Sequence, residues 1–194
     1  MKTSMTKLIG YALVVAATFC HAASAADFHD MKVIPLHNGP NDIDLDGDGI
    51  KDEIFVAWRD NENAHGYEHI IFYRKTADKE HAWELVPLFN RQGDIDEDSL
   101  RTNLGADCAL GAVVVIETNA KNSPVALVVA NRELGKSFAD AAHVSFSYYE
   151  LTRNEDGIPG WPLIYWKVVR TIDSKRDYCD VKDALRSELG ISVK

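Results

Sequence analysis

The sequence predicts a mainly β fold, an antiparallel sheet or sandwich completed by one short C-terminal helix, and three observations carry that expectation. β-Branched and aromatic residues gather into runs of strand length, turn-forming residues separate the runs, and only the end of the chain shifts to helical spacing. The runs are 53–58, 68–73, 83–88, 112–117, 125–131, 143–151 and 163–170. Between them stand Asn38-Gly39-Pro40, Asn122-Ser123-Pro124 and the stretch 154–160, whose Asn, Asp, Gly and Pro residues supply turn geometry. The last of these joins two long antiparallel strands. Phe146 and Tyr148, and Tyr165 beside Trp166, suit a half-buried sheet face. Near the end, Val181, Ala184, Leu185 and Leu189 recur at helical spacing, with Asp177 and Asp180 in front and Gly190 placed as a stop.

The first residues have the three-part layout of a cleavable secretory signal. Lys2 and Lys7 precede the apolar stretch 8–19, and Ala23-Ser24-Ala25 offers a cut before Ala26. The expected product is a single mainly β domain of residues 26–194, exported from the cytoplasm. Cys20 would leave with the signal, and the bulky Phe19 before it speaks against a lipid anchor there. Cys108 and Cys179 then remain, with one intramolecular pairing open to them; the alternative is two separate buried thiols. A bridge would tie the start of the helix to the middle of the chain.

The chain has 21 basic and 30 acidic residues and a net charge of −9, so losing Lys2 and Lys7 leaves −11. Phosphate binding needs a basic face, and the Lys and Arg residues are scattered singly among acids, which argues against nucleic acid as a partner. The longest apolar runs after the signal, 112–116 and 125–130, have strand length rather than the length of a membrane helix. No linker rich in Pro, Gly or Ser divides the chain.

The sharpest chemical signal is the stretch Asp44-Leu45-Asp46-Gly47-Asp48-Gly49-Ile50-Lys51-Asp52. Calcium takes six to eight oxygen ligands, which Asp44, Asp46, Asp48 and Asp52 together with the Ile50 carbonyl are spaced to offer while Gly49 permits the sharp turn. The loop is not an EF-hand, because the twelfth position is Phe55 and a strand follows. The competing reading is a solvated Asp/Gly turn whose carboxylates bond their own backbone. A second acidic run, 94–98, has Ser99 where a turn glycine would stand, and reads as a solvated loop leading into a helical turn. His65 and His69 lack an identifiable third zinc ligand.

After the acidic loop and its strand comes Trp58-Arg59-Asp60-Asn61-Glu62-Asn63-Ala64-His65-Gly66-Tyr67. The order of an acidic D-L-x-x-D-G-x-x-D loop, a hydrophobic strand, an R-x-N-x-N-A-H segment and the aromatic strand His69-Ile70-Ile71-Phe72-Tyr73 resembles the CarG-like carbapenem self-resistance family over residues 44–73. The resemblance implies a periplasmic protein that protects against carbapenem-type β-lactams without being a β-lactamase, its partner being the drug or a periplasmic protein. The residues agree with that negative: after the signal there is no Ser-x-x-Lys, no Ser-Asp-Asn and no clustered His/Asp/Cys constellation.

Arg59, Asn61, Asn63 and His65 are spaced by two, so an extended backbone would place them on one face. As a binding surface, Arg59 would grip a carboxylate and the amides would add directional hydrogen bonds. The structural alternative is that they brace the loop and hold the acidic loop in place. Two other functional classes stay open. One is a calcium-stabilised periplasmic interaction or inhibitor module without an antibiotic role; the other is a hydrolase using carboxylates such as Asp94 and Glu97. A homodimer is a further expectation from exposed strand edges.

Overall fold

The computed structural model describes residues 31–89, 95–103, 108–120 and 123–193; the expected signal segment with Cys20, and Asp94, lie outside these residues. The chain runs β1 (Val33–Ile34), β2 (Gly39–Ile43), β3 (Asp52–Arg59), β4 (Tyr67–Lys75), β5 (Trp83–Leu85), β6 (Leu88–Phe89), β7 (Ile95–Glu97), β8 (Leu100–Arg101), β9 (Gly111–Ala120), β10 (Ser123–Arg132), β11 (Val144–Arg153), β12 (Ile164–Asp173) and α1 (Val181–Leu189). A seven-stranded sheet has the order β1-β9-β10-β11-β12-β6-β7, and a second sheet has β2-β3-β4-β5 with β8 also paired to β4. All pairings are antiparallel except β12 with β6.

The continuous apolar runs of β9 and β10 follow from burial on both faces. Val115, Val125, Leu127 and Val129 face the second sheet and pack with Ile54, Val56, Ile70, Phe72, Leu151 and Trp166. The intervening Val114, Ile116, Ala126, Val128 and Ala130 face the helix and pack with Val144, Phe146, Val181, Ala184, Leu185 and Leu189. The molecule therefore has three layers: helix, large sheet, small sheet. Phe72 and Trp166 meet edge to face across the inter-sheet core, ring centroids 5.4 Å apart. Burying a Leu, Val or Phe side chain contributes about 1.5–3 kcal/mol, so these two clusters dominate stability.

The helix forms as its spacing predicts. Asp180 caps it by accepting the Lys182 N–H, and Gly190 ends it at φ 71°, the left-handed turn that glycine adopts without penalty. The disulfide expected between Cys108 and Cys179 is present, with Cα atoms 5.5 Å apart, and it fastens the front of the helix beside β9.

Three expectations about local structure are corrected. The run 83–88 is two strands rather than one: β5 belongs to the small sheet and β6 to the large one, and Pro87, lacking an N–H, marks the crossing while its carbonyl accepts from Trp166 N–H. Asn38-Gly39-Pro40 opens an edge strand instead of a loop, because an edge position does not need the proline's missing donor. Within the acidic run, residues 95–97 form the short strand β7, and β8 follows and adds to β4, in place of the expected loop leading into a helical turn.

Candidate functional site

The acidic loop joins β2 to β3, and Gly47 and Gly49 take φ of 76° and 86°, turning the backbone back on itself. Asp44 accepts the N–H groups of Gly47 and Gly49, at 2.8 and 3.0 Å, and Asp48 accepts that of Ile50 at 2.7 Å. The folded turn brings Asp44, Asp46 and Asp48 together, with one carboxylate oxygen of each within 4.8 Å of the others, a set able to hold a metal ion. The Ile50 side chain points to solvent and its N–H is taken by Asp48.

Asp46 is the anchor of the loop. Its side chain is only 4% exposed and takes Arg74 Nε at 2.9 Å from the small sheet and Arg153 at 3.3 Å from the large one. Arg74 also reaches Glu84 at 3.3 Å. Burial works against the Arg74 charge, but Asp46 and Glu84 overcome it and hold the guanidinium above its ordinary pKa. One carboxylate thus links both sheets at this end of the sandwich.

Asp52 lies outside the group of three. It is 1% exposed, and its two oxygens accept the N–H of Leu45 at 2.9 Å and of Lys75 at 2.8 Å. Burial pushes its pKa up, with the Asp46 and Asp48 charges adding to the rise and the two backbone donors opposing it. Its place is that of a staple between the acidic loop and β4.

The segment after β3 does not form the extended, one-faced surface that spacing by two would give. Residues 60–66 turn, with Glu62 at φ 55°, so the side chains do not line up on one face of a strand. Asn61 donates to the His65 carbonyl and Asn63 accepts the His65 N–H, both at 2.8 Å, while the His65 ring packs on Phe138 at 4.8 Å. These three residues brace their own loop. Nor do they hold the acidic loop, because the two loops sit at opposite ends of β3, about 24 Å apart at the usual rise per residue.

Arg59 is different, because it is still on the strand. Register places it opposite Tyr67, and places His69 opposite Arg101, so all four share the outer face of the small sheet. Arg59 donates to the Tyr67 hydroxyl at 2.9 Å, and the Arg59 and Arg101 guanidinium groups each lie 5.6 Å from the Tyr67 ring centroid. His69 and Ser99 share a hydrogen bond of 2.6 Å. Partial burial would raise the Tyr67 pKa, but Arg101 and Arg59 outweigh it and leave the phenol below its ordinary value. These residues line a groove of about 530 Å³ with Ala57, Trp58, Glu97 and Asp98. Gly66 is fitted to it: a Cβ there would lie 2.2 Å from the Trp58 ring and 3.1 Å from the Arg59 carbonyl oxygen.

Sequence reading missed two further clusters. Arg132 is buried and donates to the carbonyls of Asp140, Phe138, Ser137 and Cys179, at 2.6, 2.8, 3.5 and 2.9 Å. It ties the 133–143 loop to the disulfide; an isolated arginine among apolar residues was the available signal. Ser174, His143 and Asp173 also meet, with Ser174 Oγ 3.3 Å from His143 Nδ1 and His143 Nε2 3.6 Å from Asp173. Ser174 is buried and its oxygen accepts the Val144 N–H, which is a structural arrangement rather than an exposed nucleophile. Among the described residues no helix is long and apolar enough to cross a membrane.

The family model described as carbapenem resistance protein CarG-like matches residues 36–187. A crystal structure of CarG is similar in fold, with a TM-score of 0.65 and 22% identity, covering 84% of this chain and 99% of that one. A search of curated proteins found no match. The family match takes in the acidic loop, the Arg59 groove, the disulfide pair Cys108 and Cys179 and most of the helix, and on that extent the chain belongs to the CarG-like family of carbapenem resistance proteins.

Proposed function

We propose that this protein works in the periplasm and protects against carbapenem-type β-lactams by binding the drug rather than hydrolysing it, with a calcium ion bracing the acidic loop. The observation that carries this reading is family membership over residues 36–187. The disulfide supports an oxidising compartment, since such bonds persist outside the cytoplasm. Binding rather than turnover is supported by the residues that do meet: Ser174 is buried against a backbone donor, and the Arg59 groove offers recognition groups on a rigid sheet. Calcium is supported by three hard carboxylates converging around two glycine turns.

The test is expression of the full chain in a susceptible Gram-negative strain, with a version lacking residues 1–25 as control. The minimal inhibitory concentration of a carbapenem should rise with the full chain alone. No rise with the exported protein, or an equal rise with the unexported one, would refute the reading.

A second reading is favoured by one observation. Phe55, Trp83 and Leu85 are exposed on the outer face of the small sheet, a composition suited to contact with another protein. Recovery of a stoichiometric periplasmic partner, lost on Phe55→Ser and Trp83→Ser substitution, would support an interaction module instead.

A further inference from the structure

We propose that Arg59, Tyr67 and Arg101 form a carboxylate-binding site on the outer face of the small sheet, built for a small organic acid with one carboxylate and an apolar body. Which acid is the natural ligand rests on the drug-binding reading above; the site itself rests on the geometry. Strand register fixes the arrangement, because Arg59 pairs with Tyr67 and Arg101 pairs with His69, the neighbour of Tyr67 on the same face. Two guanidinium groups therefore converge on one phenol, each 5.6 Å from its centroid.

In a chain with 30 acidic residues, such cations would be expected to pair internally. Arg74, Arg153 and Arg186 do so. Arg59 and Arg101, among the described residues, form no ion pair: Arg59 donates to the Tyr67 hydroxyl and Arg101 lies over the Tyr67 ring. β3 and β8 flank β4 on opposite edges, about 10 Å apart at the usual strand spacing, so both guanidinium groups lean in over Tyr67, and an anion seated beside its hydroxyl would balance their combined charge. The same two cations hold the Tyr67 phenol below its ordinary pKa. A guanidinium matches a carboxylate through two parallel N–H groups, so two of them can enclose it, and the hydrogen-bonded His69 and Ser99 lie beside them.

The rest of the groove defines the ligand class. Trp58, 48% exposed, and Ala57 provide an apolar wall, suited to a ring or a short hydrocarbon body. Glu97 and Asp98 also line the groove, and their charges disfavour a dianion. A monocarboxylate fits both conditions better than phosphate does.

The test follows the Nε–H signals of Arg59 and Arg101 by nuclear magnetic resonance in the folded protein, titrated with benzoate, with its neutral analogue benzamide, and with inorganic phosphate. Benzoate should move both signals along one saturable curve with a Kd of about 1 mM, and Arg59→Gln or Arg101→Gln should weaken binding at least about tenfold. Arg59→Lys, which keeps the charge and loses the fork, should fall between, and melting curves should show every variant folded. Absence of saturation by about 50 mM benzoate, an equal response to benzamide, or tighter binding of phosphate would overturn the proposal. A carbapenem in the same titration separates the two readings. If benzoate occupies the arginine pair and the carbapenem does not bind, the site stands and the drug-binding reading falls. Carbapenem binding with both arginine signals unmoved by carbapenem and by benzoate alike removes the site and leaves that reading intact.

Discussion

Replacing Asp52 with alanine should destabilise the protein by about 2–5 kcal/mol. The figure comes from its two contacts: the Leu45 and Lys75 N–H groups would each lose their acceptor, and an unsatisfied buried donor costs about 1–3 kcal/mol, with some relief because a buried charge is also removed. Asp52→Asn keeps one acceptor oxygen but turns an amide donor toward the other N–H, so it should lose about half as much. The pH dependence adds an independent check. Burial raises the pKa of Asp52 above its ordinary 3.8, so the folded protein holds this proton more tightly than the unfolded chain. The stability it contributes is then full below the ordinary value and is lost as pH rises through the raised one. The wild type should accordingly gain on Asp52→Asn as pH falls from about 7 to about 4. Denaturant unfolding of the three proteins across that range is the assay. A cost for the alanine variant below about 1 kcal/mol, or a gap that widens as pH rises, would refute the reasoning.

Other outcomes follow from the same structure. Millimolar calcium should raise the melting temperature of chelator-treated protein, by the equivalent of about 2.7 kcal/mol at a hundredfold excess over Kd, and Asp44→Asn with Asp48→Asn should abolish the rise. Arg132→Met should cost about 3 kcal/mol in thermal or chemical unfolding, because four carbonyls lose a charged donor; an unchanged midpoint would deny Arg132 its role in holding the 133–143 loop. Replacing both cysteines by serine should lower stability by about 4 kcal/mol, the loop-closure contribution for residues 71 apart, as read by denaturant titration.

The β class and the terminal helix were legible because strand and helix periodicity are local properties. The helix shows it best, since its buried positions, its Asp180 cap and its Gly190 stop all sit within one short stretch. Both-sided burial of β9 and β10 was not legible, because an apolar run does not say which layer covers it. β2 was hidden by its proline, and β5 and β6 by apolar continuity across Pro87.

At the site, convergence of Asp44, Asp46 and Asp48 could be read from their spacing, but the burial of Asp46 could not, since Arg74 and Arg153 come from different sheets. Spacing by two misled at Asn61, Asn63 and His65 because it carries meaning only in extended backbone, and β3 ends at Arg59 before the turn that holds Glu62 at positive φ. The partnership of Arg59 with Arg101 depends on β8 adding to β4, which no local pattern announces.

Equilibrium dialysis of an intact carbapenem against the purified protein tests protection by binding most directly, with the chemical state of the drug followed on both sides of the membrane. The protein side should retain excess drug, in proportion to protein and with the β-lactam ring closed. Equal concentrations on the two sides, or accumulation of ring-opened product, would contradict it.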